Sequence, residues 1–87
     1  MADKERLLSR NLIGKTVVSK SGKRFGEVGD VEFETRTGEI IFVVLDKPTS
    51  FGTSFELEKD SKGRYKIPYH AVVAVGDFVV VAEEDIL

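Results

Sequence analysis

The sequence has no cysteine, which removes disulfides, thiolate nucleophiles and cysteine-based zinc or iron–sulfur sites from consideration. It has one histidine, His70. A transition-metal site would therefore have to surround a single imidazole with carboxylates, and a surface turn is the expected place for it. No apolar run approaches the roughly 20 residues that a membrane-spanning helix requires. Residues 1–10 alternate charge around Leu7 and Leu8, which is not the apolar centre of a signal peptide. Two leucines also bury too little area to hold a segment on an anionic membrane, so membrane contact is expected only indirectly. Repeats and low-complexity tracts are absent. A soluble, cytoplasmic protein is the expectation.

What remains is one small globular unit. The chain has 87 residues, 41% of them hydrophobic and 32% charged, enough apolar surface to offset conformational entropy in one domain and too little length for two. A domain of this size buries only about 60% of its unfolded surface, so oligomerisation is a natural supplement and a homodimer is expected. The net charge of −2 conceals segregation: residues 1–24 carry +5, 25–46 carry −5, 47–70 carry +2 and 71–87 carry −4. No large basic domain exists, and with a pI near 5.4 nucleic acid is not the expected partner, though Lys20, Lys23 and Arg24 are the cations that would serve one.

The patterning is that of short strands. Asp3 as N-cap and Glu5 in a first turn predict a brief helix ahead of position 12. Leu12 to Val18 reads as a β-branched strand closed by the Ser19–Lys23 turn. Between Arg24 and Arg36, Val31 and Phe33 alternate with Asp30, Glu32 and Glu34, which sends the apolar pair inward and the carboxylates to water. Gly26 and Gly29 precede that alternation and suggest a bend or bulge rather than a ligand loop. After a Thr37–Gly38 turn, Glu39 to Leu45 is almost continuously apolar, as for a strand covered on both faces. Asp46 to Ser54 reads as a loop, Phe55 and Leu57 alternate with Glu56 and Glu58 as a short strand, and Lys59 to Gly63 reads as a charged turn. Tyr65 to Ile67 is a strand that Pro68 ends, leading into one helical turn. The segments 73–75 and 78–81 flank a Gly76–Asp77 turn.

Motifs that carry chemistry are imitated but not completed. Gly14-Lys15-Thr16 resembles the end of a phosphate-binding loop, but Ser9 stands where the earlier glycine belongs and a strand follows instead of a helix. The glycines from 22 to 29 likewise precede a strand and lack the amides of a helix N-terminus. Glu32 and Glu34 face solvent, where nothing raises a carboxyl pKa toward general-acid use. Catalytic, metal-ligating and cofactor-binding residues are therefore expected to be none. Phe51, apolar in a polar loop, is placed as a contact residue would be. With Phe42, Phe55, Leu57 and Phe78 it makes up the candidate protein-interaction set.

The stretches Leu12-Ile13-Gly14-Lys15-Thr16-Val17-Val18, Gly22 through Val31, and Thr37-Gly38-Glu39-Ile40 closely resemble the opening of PRC-barrel domains. Ile67-Pro68-Tyr69-His70-Ala71-Val72 and Val75 to Val80 look like the closing strands of that family. The resemblance implies an all-β fold, a small six-stranded barrel over residues 12–82 with a helical extension at 1–11 and a tail at 83–87. It also implies an adaptor or scaffold role rather than catalysis. Neither a transmembrane helix nor a second barrel accompanies the domain here, so the resemblance points to stand-alone archaeal members. Some of those act in cell division by binding the SepF-type membrane anchor of the FtsZ ring. An RNA- or ribosome-associated role is the alternative that the family implies.

Overall fold

The computed structural model describes residues 11–86. The helix expected over positions 3–10 lies outside them. Seven strands form one sheet: β1 (Thr16–Ser19), β2 (Arg24–Phe33), β3 (Ile40–Asp46), β4 (Glu58–Lys59), β5 (Tyr65–Pro68), β6 (Val72–Val75) and β7 (Phe78–Val81). Their order is β4-β5-β3-β2-β1-β7-β6. Neighbours are antiparallel except β1 and β7, which run parallel with Thr16 beside Phe78 and Ser19 beside Val81.

The alternation read in β2 is observed. Val28 and Val31 are buried, Asp30 is exposed, and Phe33 packs on the core. The ladder to β3 shifts register between Val28 and Asp30, so Gly29 is the bulge residue. A Cβ on Gly29 would lie 2.8 Å from the Cβ of Asp46. The glycine therefore lets β2 bend over the end of β3, and the sheet coils around one core of Val17, Phe25, Val28, Val43, Leu45, Ile67, Val79 and Val81.

Two expectations are corrected. The sheet has seven strands rather than the six that the resemblance implied, and the strand expected from Phe55 is reduced to the two-residue β4 paired with β5, Phe55 to Leu57 lying outside any strand. The sheet is also not a closed barrel: β4 and β6 are its edges. Pro68 pairs with Phe42 at the end of the β5 ladder and has no N–H to extend it, and the chain turns through a 3₁₀ turn, Tyr69–Ala71, to start β6 at the far edge. Ala71 is fully buried in that turn and its carbonyl accepts from the Ala82 amide at 2.8 Å.

The loop from Asp46 to Ser54 also contains a helical turn, α1 (Ser50–Thr53). Thr49 caps it: its hydroxyl accepts from the Gly52 amide at 3.1 Å, and its own amide donates to the Phe25 carbonyl at 2.9 Å. In β3, coverage of both faces holds for Val43, Val44 and Leu45, which are buried in succession, whereas Ile41 is exposed.

Candidate protein-interaction surfaces

Several polar side chains are engaged in holding the fold. Asp60 is the clearest case. Its carboxylate accepts from the amides of Lys62 (3.0 Å) and Arg64 (2.8 Å) and from the Arg64 guanidinium (2.9 Å), which clamps the turn between β4 and β5. Burial pushes this carboxyl up, but the bonds from Arg64 and Lys62 outweigh it and hold it below its ordinary value. Arg64 reaches on to Asp30 at 3.4 Å. Lys15, the cation of the imitated phosphate loop, donates instead to the Gly76 carbonyl, and Thr16 begins β1. Among the described residues no group of three or more histidine, aspartate or glutamate side chains could hold a metal, and no buried side-chain polar atom lacks a partner.

The cations considered for nucleic acid are similarly occupied. Lys20 pairs with Glu84 at 2.9 Å, Arg24 pairs with Glu27 at 3.0 Å, and the Lys23 ammonium sits 5.3 Å from the Phe51 ring centroid. The hydrogen bond and charge of Glu84 hold Lys20 above its ordinary value.

Two apolar regions remain. At the α1 end, Phe25, Phe51 and Phe55 form a triad with centroids 5.0–5.3 Å apart, two of the three contacts edge-on. Phe25 is fully buried, and Phe51 and Phe55 are half-buried. Capping by Thr49 holds α1 against β2 and so sets the triad. Beside it runs an open groove of about 540 Å³ lined, among the described residues, by Ser54, Phe55, Glu56 and Ile86. A second cavity of about 240 Å³ shares Glu56 and Ile86 with it and adds Leu57, Glu58, Lys66 and Pro68. Glu56 and Glu58 are exposed on its rim. Glu58 lies opposite Lys66 in the ladder, but Lys66 turns to Glu32 (3.4 Å) and over the Phe42 ring (4.1 Å), leaving both rim carboxylates without an ion pair among the described residues.

At the other edge, Val73, Val75 and Phe78 are 53%, 48% and 53% exposed. Sequence reading had singled out Phe78 there but not the two valines. Of the other candidates, Phe51 and Phe55 belong to the triad, Leu57 packs against the core, and Phe42 lies under Lys66. The structure thus gathers Phe55 and Leu57 at one groove and places Phe78 away from them on the β6–β7 hairpin. The exposure of Val73 and Val75 follows from the edge position of β6, which no local pattern reports.

A family model described as the PRC-barrel domain matches residues 4–85. The chain belongs to the PRC-barrel family. No curated protein matches its sequence. PRC-barrel domains are non-catalytic interaction domains, and the family places this chain among protein-interaction modules. The two apolar regions exposed among the described residues agree with that class. No described helix is long and apolar enough to cross a membrane.

Proposed function

We propose that this PRC-barrel protein is an adaptor that seats a protein partner in the groove beside Phe55, and that the partner is the SepF-type membrane anchor of the archaeal FtsZ ring. The observation that carries the adaptor reading is the groove itself. The groove and the cavity that adjoins it have an apolar floor (Phe55, Leu57, Pro68, Ile86), and their rim holds Glu56 and Glu58, which form no ion pair among the described residues. That chemistry fits a segment with an apolar anchor flanked by lysine or arginine. The assignment to division rests on the resemblance to stand-alone archaeal members. In this reading the protein is cytoplasmic and reaches the membrane only through its anchor. Lys20 and Arg24 are paired with Glu84 and Glu27 and Lys23 lies over the Phe51 ring, which disfavours the ribosomal alternative.

Light scattering coupled to size exclusion tests the proposal on the protein alone and mixed with the SepF-type anchor. A stoichiometric complex is expected, weakened about tenfold or more when both Glu56 and Glu58 are changed to lysine. Separate elution removes the division role. A complex indifferent to the double substitution removes the groove.

A further inference from the structure

The groove beside Phe55 has a candidate occupant within reach on the same chain. Asn11 and Leu12 are helical and Leu12 is buried in the core, so the point at which residues 1–10 join the domain is fixed. That point is close to the groove. Asn11 and Leu12 line a cavity of about 240 Å³ together with Tyr69, and Pro68, the residue before Tyr69, lines the cavity that adjoins the groove. The interval to be crossed is thus a single residue of wall. Leu7 and Leu8 stand four and three residues before Asn11, a reach of roughly 6 Å along a helix and about 13 Å in extended chain, before their own side chains are added.

The sequence of this segment complements the groove. Lys4-Glu5-Arg6-Leu7-Leu8-Ser9-Arg10 sets its two apolar side chains between two arginines and carries three cations against one carboxylate. Facing it are the apolar floor of Phe55, Leu57, Pro68 and Ile86 and the rim carboxylates Glu56 and Glu58, which have no ion pair among the described residues. Four-residue spacing also aligns Leu8 with the buried Leu12 on one helical face. Toward the β6–β7 hairpin the wall beside Asn11 includes Lys15, a like charge for Arg6 and Arg10. The family match begins at residue 4, well before β1, so residues 4–10 are part of the domain that the family shares. We propose that residues 4–10 occupy the groove of their own chain, with Leu7 and Leu8 on its floor and Arg6 and Arg10 at Glu56 and Glu58, and that a partner enters by displacing them. The displacement rests on the groove being the docking site proposed above; the occupancy does not. A groove filled in most molecules lowers the apparent affinity of a competing ligand by the fraction left open. The segment thereby sets a threshold that only a partner with a better anchor passes.

The absence of cysteine allows thiols to be placed at will. Ser9→Cys combined with Ser54→Cys puts one thiol beside the leucines and one on the groove wall, and keeps both arginines and both carboxylates. A short bismaleimide is expected to link this pair within one chain at least about tenfold faster than it links Ser9→Cys to Asp77→Cys on the hairpin. Adding Leu7→Ser and Leu8→Ser is expected to slow the link about tenfold. Glu56→Lys with Glu58→Lys, both exposed, is expected to slow it several-fold, and Arg6→Glu with Arg10→Glu to restore the rate. Circular dichroism verifies that each variant is folded. Equal rates at Ser54 and Asp77, a rate indifferent to the leucines, a charge reversal that restores nothing, or a link between two chains each overturns the inference. In the cysteine-free protein, Leu7→Ser with Leu8→Ser is expected to tighten binding of the SepF-type anchor several-fold. Linking as expected with an unchanged anchor affinity overturns the displacement together with the proposed docking site, while the occupancy stands.

Discussion

Gly52→Ala should be among the most damaging of single-methyl additions to this domain. A Cβ built at Gly52 lies 2.5 Å from the carbonyl oxygen of Phe25, 3.2 Å from its Cα and 3.3 Å from its carbonyl carbon. All three are backbone atoms of β2, so no side chain can rotate away. The clash is relieved only if α1 lifts by roughly half an ångström to an ångström. That movement stretches the bond from the Thr49 amide to the Phe25 carbonyl and opens the Phe25–Phe51–Phe55 triad. Overpacking of this kind costs about 1–3 kcal/mol and a weakened hydrogen bond up to about 1 more, against a gain of about 0.4–1 from a stiffer unfolded chain. The net is about 2 kcal/mol. With an unfolding entropy of about 2.1 cal/mol/K per residue over 87 residues, the melting temperature should fall by roughly 10 °C. Differential scanning calorimetry reads this directly. Gly76→Ala is the control, since a Cβ there meets nothing within 4 Å and the backbone angle is permissive. A Gly52→Ala melt within about 2 °C of that control would refute the packing argument.

Phe51→Ala removes two ring contacts and the seat of the Lys23 ammonium while Phe25 stays in place; urea unfolding should show a loss of about 2–3 kcal/mol, below the roughly 3–5 kcal/mol of a fully buried aromatic because the ring is only half-buried. Phe78→Ser should leave urea unfolding of the monomer within about 0.5 kcal/mol, since the ring is largely in solvent. For Asp60 the pH dependence has a definite sign. The folded carboxyl titrates below its unfolded value of about 4, so its stabilisation is complete above that value and is lost as pH falls through the folded one. Melting temperatures followed from about pH 6 down to about pH 2 should therefore drop less steeply for Asp60→Asn than for the unaltered chain.

What was legible in the sequence was local. Period-two alternation located the inward face of β2, the paired turn residues Gly76 and Asp77 located the last hairpin, and Pro68 announced a break that the structure realises as a 3₁₀ turn. What was not legible depends on distant partners. The α1 turn forms in a segment of serine, threonine and glycine because Thr49 bonds to the Phe25 backbone and Phe51 and Phe55 stack on the Phe25 ring. Closure was expected and did not occur, since period two states which side of a strand is buried but not whether two edges meet. The contact residues divide the same way. Phe51 read as a protruding anchor because its neighbours are polar, yet its nearest companion is an aromatic of β2. Val73 and Val75 read only as members of a short strand, and that they border solvent follows from the edge position of β6.

The parallel pairing of β1 with β7 has a consequence for how the chain is made. β1 can begin a hairpin with β2 as soon as both have emerged from the ribosome, but its other ladder needs β7, and the Lys15 ammonium needs a carbonyl 61 residues further on. The sheet therefore cannot be completed until synthesis has passed Val81. Until then one side of β1 is an open edge. Contacts of such long sequence separation slow folding, and an open apolar strand in a nascent chain invites mispairing with its neighbours. Chains that stall or are cleaved before β7 should collect in aggregates rather than persist as partly built sheets.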